Sequence, residues 1–530
     1  MRQQEAAPRS TAREWFGLAV LALPCLLYSM DLTVLNLAVP SMSADLKPSA
    51  SELLWIIDIY GFVVAGSLIT MGTLGDRIGR RKLLLIGAAC FGATSVLAAF
   101  STSPEMLIAS RALLGLSGAT LAPSTLSLIR NMFLDDRQRT VAISVWITSY
   151  SAGAALGPPL GGLLLEFFPW GSVFLLGVPC MLLLLALGPV LLPEFKDPDA
   201  GRLDLISAGL SLLAILTSVY GLKQVAEHGL EARPAAFLIA GALLATVFVV
   251  RQARLTKPLI DLRLFRVPAF SASLVTYMLG GLTVFGGFVF IAQYLQLVLE
   301  LSPLEAGLWT MPWAVAFIVG SMVTPLFVRR VRPALLMASG LVVGAVGFAL
   351  LTQLGTESNL PLLVVATVVL SLGLAPVFTL TTDFMIGTAP PERAGAAAAI
   401  SETSAELGGA LGIAVLGSIG TAVYRSEMAS GVPAGIPAEN AEAARSTLGG
   451  AVSVADGLPG NLGADLLANA QAAFSQAFET TALISTVIIL GIAALVLVVL
   501  RDVAHAAAAT DEQYPLTSGP VPIVVLDDGD

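Results

Sequence analysis

The strongest constraint on how this 530-residue chain folds is a series of apolar stretches that recurs along most of its length. Each stretch has about 18–25 residues, the length that a helix needs to cross the hydrocarbon core of a bilayer. Only 12% of the residues are charged, whereas a soluble globular protein carries about 25%. Lipid is therefore expected to surround much of the chain, and helices satisfy their own backbone polar groups there. Because no series of short alternating segments is present, we predict an all-α membrane protein rather than a barrel.

The apolar stretches number fourteen, and an even number of crossings returns both termini to one side of the membrane. The predicted spans lie near residues 15–39, 54–74, 83–101, 106–129, 141–165, 172–192, 204–223, 235–253, 270–297, 307–328, 334–353, 361–384, 397–422 and 479–500.

Lysine and arginine are distributed unevenly between the two sides of these spans. Twenty-two of the 28 lie on the side of the N-terminus, five lie on the opposite side, and Arg111 falls inside a span. Since basic residues are enriched in cytoplasmic loops, we expect a bacterial inner (cytoplasmic) membrane protein with both termini in the cytoplasm. The five residues expected on the outer side are Lys47, Lys223, Arg233, Arg425 and Arg445.

Two short sequences occur twice, in the same order and at nearly the same separation. Leu121-Ala122-Pro123 returns as Leu374-Ala375-Pro376, and Ala155-Leu156-Gly157 returns as Ala410-Leu411-Gly412, with offsets of 253 and 255 residues. Such a repeat predicts two parallel six-helix halves, with a binding site near the midplane where the halves meet. The seventh and eighth spans are then a pair inserted between the halves.

The repeat and the span boundaries together predict five segments. They are a cytoplasmic N-terminus 1–14, an N-terminal half 15–193, a linker with the inserted helices 194–256, a C-terminal half 257–501 and a disordered cytoplasmic tail 502–530. Within the C-terminal half, residues 423–476 form a long outer loop. An amphipathic stretch at 466–474 suggests a helical hairpin in that loop.

The loop after the second predicted span carries the most specific local pattern, GTLGDRIGRRK at residues 72–82. Gly75 and Gly79 permit a tight turn and a close helix approach, and Asp76 can lie at a neighbouring helix N-terminus. The basic residues can pair with acids across the two halves or with anionic lipid, although a plain positive-inside loop is the simpler alternative. The candidate conformational switch comprises Gly72, Gly75, Asp76, Arg77, Gly79, Arg80 and Arg81.

Five ionisable residues are predicted to lie at membrane depth, where each costs about 2.5–3.5 kcal/mol on insertion scales. Such residues are candidates for a functional site. They are Asp31, Asp58, Arg111, Glu402 and Glu406.

Glu402 and Glu406 are four residues apart and therefore share one face of a helix. Glu406 falls near the bilayer midplane at a rise of about 1.5 Å per residue. Two neighbouring carboxylates in a low-dielectric region resist being ionised together, and such a pair can exchange a proton for a cation. The alternative is a buried acid held by a fixed partner.

Asp31 and Arg111 are predicted at similar depths in the outer half of their spans, so an ion pair between them is plausible. A permanent pair that only locks two helices together is the alternative to a functional role. For Asp58 the alternative is solvation at the membrane interface.

The fifth predicted span presents glycines at one helical face, which allows close packing against another helix. Pro158 removes a backbone donor and bends the helix. Gly153, Gly157 and Gly161 form this face, and the candidate motif also includes Pro158 and Gly162. Aromatic side chains can hold a flat cation by cation–π attraction, although most are ordinary packing residues; we select Trp146, Tyr150 and Trp313 as candidate cavity aromatics.

Several of these segments resemble motifs of the major facilitator superfamily. The pattern at 72–82 resembles its motif A, RALLG at 111–115 its motif B, and GAALGPPLGG at 153–162 its motif C, a hallmark of drug:proton antiporters. Residues 27–40, with MDLTVLNLAVP, and WIIDIY at 55–60 resemble segments of the fourteen-helix branch that exports quaternary ammonium compounds. In the second half, motif A is faint.

The resemblance implies a proton-coupled multidrug antiporter that exports lipophilic cations such as quaternary ammonium antiseptics and dyes. It also implies that Asp31 and Asp58 take part in proton coupling or cation recognition, with Arg111 tuning a neighbouring acid. A dedicated exporter of one endogenous product, such as an antibiotic or lipid, would share the fold and the coupling and stays open.

The sequence favours no enzyme, since no nucleophile, base and orienting residue occur together and no Walker A pattern is present. We expect no cofactor, no metal and no nucleic acid, with the proton gradient as the energy source. The expected partners are small lipophilic cations, protons and membrane lipids, and the expected state is a monomer.

Overall fold

A computed structural model describes residues 10–196, 204–228, 231–255, 258–260, 262–328, 330–355, 359–387, 394–458 and 461–500. The predicted tail 502–530 and most of the predicted N-terminus 1–14 lie outside these residues. Within them the chain is helical and contains no strand, which confirms the predicted all-α fold.

The helices are α1 (Ala12–Leu46), α2 (Ala50–Ile78), α3 (Arg80–Ala99), α4 (Pro104–Gly118), α5 (Leu121–Met132), α6 (Asp136–Phe167), α7 (Ser172–Leu175), α8 (Gly177–Leu191), α9 (Leu205–His228), α10 (Ala232–Arg254), α11 (Pro268–Gln293), α12 (Pro303–Trp309), α13 (Met311–Val328), α14 (Pro333–Leu351), α15 (Leu360–Gly387), α16 (Ala394–Gly431), α17 (Ala438–Ser446), α18 (Leu448–Ala455) and α19 (Asn461–Val499). A short 3₁₀ turn, Leu264–Arg266, precedes α11, and a π-helical turn, Tyr294–Val298, follows it.

Capping boxes fix where several helices begin. Thr11 caps α1 together with Glu14, and Ser49 caps α2 together with Glu52. The Ser49 hydroxyl accepts from the Glu52 N–H and the Thr11 hydroxyl accepts from the Arg13 N–H. In both boxes the glutamate accepts from the backbone N–H of the capping residue.

Thirteen helical segments in the described part of the chain are long and apolar enough to cross a membrane. Three of them are pairs broken by a short kink: α4 with α5, α7 with α8, and α12 with α13. The remaining predicted span is α6, which has 32 residues but is not among the thirteen. With α6 included, the spans number fourteen, as predicted.

The two halves repeat one packing arrangement. In the N-terminal half, α1 to α8, helix α6 lies along α1; in the C-terminal half, α11 to α16 with α19, helix α16 lies along α11. A Cβ added at Gly157 would lie 2.2 Å from Thr33 Oγ1 of α1, and one added at Gly412 would lie 2.1 Å from the Leu282 carbonyl oxygen of α11. The recurring Ala-Leu-Gly sequence thus marks the same close helix contact in both halves.

The halves meet along two seams. A Cβ at Gly61 of α2 would lie 3.1 Å from Ala410 Cβ of α16, and one at Gly162 of α6 would lie 2.4 Å from the Pro303 carbonyl oxygen of α12. We call the side on which α1 begins the inner side and the opposite side the outer side. The contact of Gly162 with Pro303 lies in the outer parts of both helices, so the halves are packed together there.

The inserted pair, α9 and α10, lies against the outside of one seam. Helix α9 contacts α2 of one half and α16 of the other. At the inner side, Arg251 of α10 forms an ion pair with Asp204, 2.8 Å from Nη2 to Oδ1, just before α9 begins. Burial raises the pKa of Asp204, but hydrogen bonds from Ser207 and Arg251 outweigh this and leave the pKa below its ordinary value.

The outer segment 423–476 differs from the predicted loop because nearly half of it continues the flanking helices α16 and α19. Helices α16 and α19 have 38 and 39 residues, which correspond to about 57 Å and exceed a hydrocarbon core of about 30 Å. Hydropathy ends a predicted span where polar residues begin, whereas an alanine-rich helix continues because alanine is the best helix former.

Helices α17 and α18 connect these extensions and cover the outer side. The Tyr424 hydroxyl donates to the Ala444 carbonyl oxygen at 2.9 Å, and Gln471 Nε2 donates to the Leu297 carbonyl oxygen at 2.9 Å. A Cβ at Gly449 of α18 would lie 3.2 Å from Ser43 Cβ of α1. The segment is therefore a packed helical cap that touches both halves.

Candidate functional site

A cavity of about 410 Å³ lies between the two halves. Helices α1, α2 and α6 of the N-terminal half and α11, α13, α15 and α16 of the C-terminal half form its wall. Most of the wall is apolar or aromatic, and Asp58 and Glu406 are among its residues; the Asp58 side chain is 0% exposed. The cavity thus has the location that the repeat predicts for a binding site.

Glu406 reaches this wall from α16. Two and three residues further on, Gly408 and Gly409 let α11 approach closely, since a Cβ at Gly408 would lie 2.5 Å from the Met278 carbonyl oxygen. The hydroxyl of Tyr28, from α1, lies next to the Glu406 carboxylate. Glu406 therefore lies where helices of the two halves converge on the cavity.

Glu402 lies one turn from Glu406 on the inner side, and the two carboxylates act on each other electrostatically. It is not part of the cavity wall. Among the described residues, no lysine or arginine forms an ion pair with either glutamate. These are two neighbouring acids without a basic partner in that part of the chain.

Asp31 and Arg111 form an ion pair that joins α1 to α4. The Arg111 side chain is 1% exposed and that of Asp31 is 14% exposed. Arg111 Nε also donates to the Ile56 carbonyl oxygen at 3.2 Å, and its guanidinium lies 4.7 Å from the centroid of the Tyr60 ring. The pair that similar depth suggested is therefore present, and α2 contributes a carbonyl and a ring to it.

Asp58 is paired with Lys223 of the inserted helix α9. Lys223 Nζ lies 3.0 Å from Asp58 Oδ1 and 2.8 Å from Oδ2, and both side chains are 0% exposed. The ammonium also lies 3.9 Å from the centroid of the Trp55 ring. Asp58 is consequently not solvated at an interface.

This pair also corrects the predicted location of Lys223. The predicted seventh span ended at residue 223, which assigned the lysine to the outer side, but α9 continues to His228. A charged residue at the end of an apolar stretch is usually interfacial; here a carboxylate on a neighbouring helix neutralises it inside the protein. Asp58 and Lys223 were considered separately in the sequence analysis; the presence of one acid and one lysine near the outer ends of two predicted spans was the only indication that they pair.

The aromatic candidates divide between the cavity and the core. Tyr150 and Trp313 line the cavity. Trp146 does not, which corrects the prediction: it is 8% exposed and its Nε1 donates to Thr125 Oγ1 at 3.0 Å. It packs behind Tyr150, with ring centroids 4.8 Å apart. Four further rings complete the wall: Tyr277, Phe285, Phe317 and Phe378.

The glycines of α6 serve two different contacts. A Cβ added at Gly153 would lie 2.1 Å from the Leu26 carbonyl oxygen, and a Cβ added at Gly161 would lie 2.7 Å from Val34 Cγ1. With Gly157, these residues pack against α1 inside the N-terminal half. Gly162 and Pro158 instead meet α12 across the seam, where a Cβ at Gly307 would lie 2.4 Å from the Pro158 carbonyl oxygen.

The loop between α2 and α3 contacts its own half. Gly79 has a φ of 115°, a backbone conformation that glycine adopts without steric cost. Arg80 Nε donates to Asp76 Oδ1 at 2.7 Å, and Arg80 Nη1 donates to the Pro123 carbonyl oxygen of α5 at 3.2 Å. Asp76 therefore binds a side chain, and no side chain caps α3, contrary to the predicted interaction with a helix N-terminus.

The other residues of the loop are distributed between packing and solvent. Arg81 Nη1 donates to the Leu192 carbonyl oxygen at 3.0 Å, and its backbone N–H donates to Glu194 Oε1 at 3.0 Å. Gly72 faces Pro123, Gly75 faces Arg80, and Arg77 is exposed. The matching loop of the second half begins near residue 327, and residue 329 within it lies outside the described residues.

Two six-helix halves around a shared central cavity with acidic groups in and beside its wall define a secondary transporter of the alternating-access type. A family model described as Major Facilitator Superfamily matches residues 21–413. The chain belongs to this family, and it is a multi-pass membrane transporter rather than an enzyme.

Curated relatives extend this assignment to efflux. The chain is 45% identical over 493 residues to the multidrug efflux pump LfrA of Mycolicibacterium smegmatis. This match covers 93% of this chain and 97% of LfrA. The chain is 37% identical over 466 residues to the methyl viologen resistance protein SmvA of Salmonella typhimurium. This match covers 87% of this chain and 93% of SmvA. Transport by the chain is therefore of the efflux type.

A solved structure supports the fold independently. The crystal structure of a bacterial homologue of the human lysosomal transporter Spinster, in an inward-facing and unoccupied conformation, matches with a TM-score of 0.67 at 16% identity. The match covers 92% of this chain and 98% of that structure. At this identity the similarity concerns the fold alone.

Proposed function

We propose that this chain is a proton-coupled multidrug antiporter of the bacterial inner membrane that exports lipophilic cations, with both termini in the cytoplasm. The observation that carries the proposal is the Glu406 carboxylate in the wall of the central cavity. It has no lysine or arginine partner within the described residues, and Glu402 lies one turn away.

The cavity chemistry suits an organic cation. Its wall combines Tyr150, Trp313 and four further aromatic rings with one unpaired carboxylate. Aromatic faces attract cations, and an acid in a low-dielectric region binds a positive charge strongly. The relative SmvA is named for methyl viologen resistance, and methyl viologen is a flat organic dication.

Coupling follows from competition for the same carboxylates. When the cavity opens outward, Glu406 and Glu402 take protons; when it opens inward, they release protons and accept the cation. Asp31 and Asp58 already hold Arg111 and Lys223, so in this arrangement they orient helices around the site while the acids of α16 exchange protons.

The experiment measures protons released when ethidium is added to the purified protein in lightly buffered detergent. We expect release from the unaltered protein and at least a tenfold smaller release from Glu406→Gln, because the amide cannot give up a proton. Asp383→Asn is the matched control, since Asp383 is an exposed acid near the inner end of α15 and should leave release unchanged.

Two results would decide against this function. Full proton release from Glu406→Gln, with ethidium still bound, would remove Glu406 from coupling. If the unaltered protein binds none of a panel of cationic dyes, a dedicated exporter of one endogenous product is the better description.

A further inference from the structure

The buried pair of Asp58 and Lys223 is unusual because its base comes from the inserted helices. Both side chains are 0% exposed, and the ammonium contacts both carboxylate oxygens at 2.8 and 3.0 Å. The lysine belongs to α9, which lies outside the two six-helix halves and contacts α2 and α16. The inserted pair thus supplies a positive charge to the core of the transporter.

The position of this pair relates it to the cavity. Asp58 and Glu406 are both residues of the cavity wall, so the charge of each acts on any cargo that occupies the cavity, and Asp58 acts on it from a fully buried side chain. Glu406 has no lysine or arginine partner among the described residues, whereas the charge of Asp58 is cancelled by Lys223. Trp55, one turn before Asp58, places its ring 3.9 Å from the ammonium and holds the lysine at that place.

We propose that Lys223 is a specificity-determining residue: a tethered cation that withdraws Asp58 from cargo recognition and so sets the negative charge that the cavity presents. This inference rests on the proposed export of lipophilic cations. Lys223 does not touch the cargo itself, since it is not part of the cavity wall; it acts through the carboxylate that it neutralises.

Removing Lys223 and removing Asp58 change the charge at the cavity wall in opposite directions. Lys223→Met frees the Asp58 carboxylate and adds one negative charge at the wall. Asp58→Asn leaves the lysine unpaired and adds one positive charge there. The double variant is neutral, like the natural pair, and a cargo with two positive charges responds to each change more strongly than a cargo with one.

Ethidium and propidium are suitable probes because they share one ring system and carry one and two positive charges. The experiment measures the dissociation constant of each dye for the purified full-length protein, and the quantity of interest is the propidium-to-ethidium ratio. A charge about 10 Å from the extra ammonium, at an effective dielectric constant near 20, changes this ratio about tenfold.

We expect the ratio to fall about tenfold in Lys223→Met, to rise about tenfold in Asp58→Asn, and to return to its original value in the double variant. Lys223→Arg keeps the charge and should leave the ratio unchanged. A merely structural pair would lower the thermal stability of both single variants and restore it in the double variant, with equal effects on the two dyes.

Equal effects on both dyes, or changes of the ratio in the same direction, would overturn the inference. If only one of the two single variants folds, the inference stands when the propidium-to-ethidium ratio of that variant changes in the expected direction and fails when it does not. If neither folds while the double variant folds, the pair is structural and the inference is wrong. Failure of the proposed function is distinguishable, because the unaltered protein would then bind neither dye.

Discussion

The contact between Gly157 and Thr33 gives a prediction whose size follows from the geometry. A Cβ added at Gly157 lies 2.2 Å from Thr33 Oγ1, roughly 1 Å inside ordinary contact, which begins at 3.4 Å. The next neighbours, Thr33 Cβ and the Met30 carbonyl oxygen, are already at 3.4 Å. Overpacking of this kind costs about 1–3 kcal/mol, so Gly157→Ala should destabilise the protein by that amount.

The chain offers a control and a rescue for this change. Gly491 of α19 has open space around its Cβ position, so Gly491→Ala should be neutral or slightly stabilising because alanine favours the helix. Thr33→Ala removes the clashing oxygen, and Gly157→Ala combined with Thr33→Ala should regain most of the lost stability. Thermal unfolding in detergent measures all four proteins.

The same variants separate two roles of the α6 glycine motif. If close packing against α1 is its whole role, dye efflux recovers in the rescued double variant together with stability. Efflux that stays low in a fully stable double variant would assign Gly157 a role in the transport cycle itself. A Gly157→Ala protein as stable as Gly491→Ala would refute the packing argument.

Two further predictions concern charged pairs. Arg111→Met should destabilise the protein by about 3–5 kcal/mol, because it leaves a mostly buried Asp31 unpaired; adding Asp31→Asn should recover much of this, as measured by thermal unfolding, and no recovery would contradict a pairwise interaction. Asp76→Asn should slow efflux turnover in proteoliposomes more than it weakens dye binding, while stability changes by at most about 1 kcal/mol because the pair with Arg80 is partly exposed. Unchanged turnover would make the loop a simple positive-inside element.

The fold was predictable because the bilayer imposes length and hydropathy on every span. The number of spans, the two halves and the repeat all follow from apolar stretches and two recurring tripeptides. The ends of the helices were less predictable, since α16 and α19 continue far beyond their apolar portions. Hydropathy marks where a helix leaves the bilayer but does not show whether the helix continues beyond it. The outer cap was therefore predicted as a loop.

The residues of the candidate site were predictable only where they lie on one helix and their spacing shows that they share a face. Glu402 and Glu406 follow from a spacing of four residues on α16. The pairing of Asp58 with Lys223, by contrast, joins residues 165 positions apart, and a single sequence contains no spacing rule for such a pair. Trp146 and Tyr150 are one turn apart on the same side of α6, yet only Tyr150 lines the cavity, because Trp146 packs against Thr125 of α5, a contact between helices that the sequence alone does not show.

The segment 55–60 of α2 acquires a physical explanation from the two buried bases on its flanks. Trp55 and Asp58, three residues apart, face Lys223, whereas Tyr60 lies under Arg111. Tyr60 follows Asp58 by two residues, which is about 200° around a helix, so α2 presents one set of contacts to α9 and another to α4. A rotation of α2 therefore disturbs the Asp58–Lys223 ion pair and the contacts that α2 makes with Arg111 at the same time, and this couples the inserted helix to the surroundings of the charge pair in the N-terminal half.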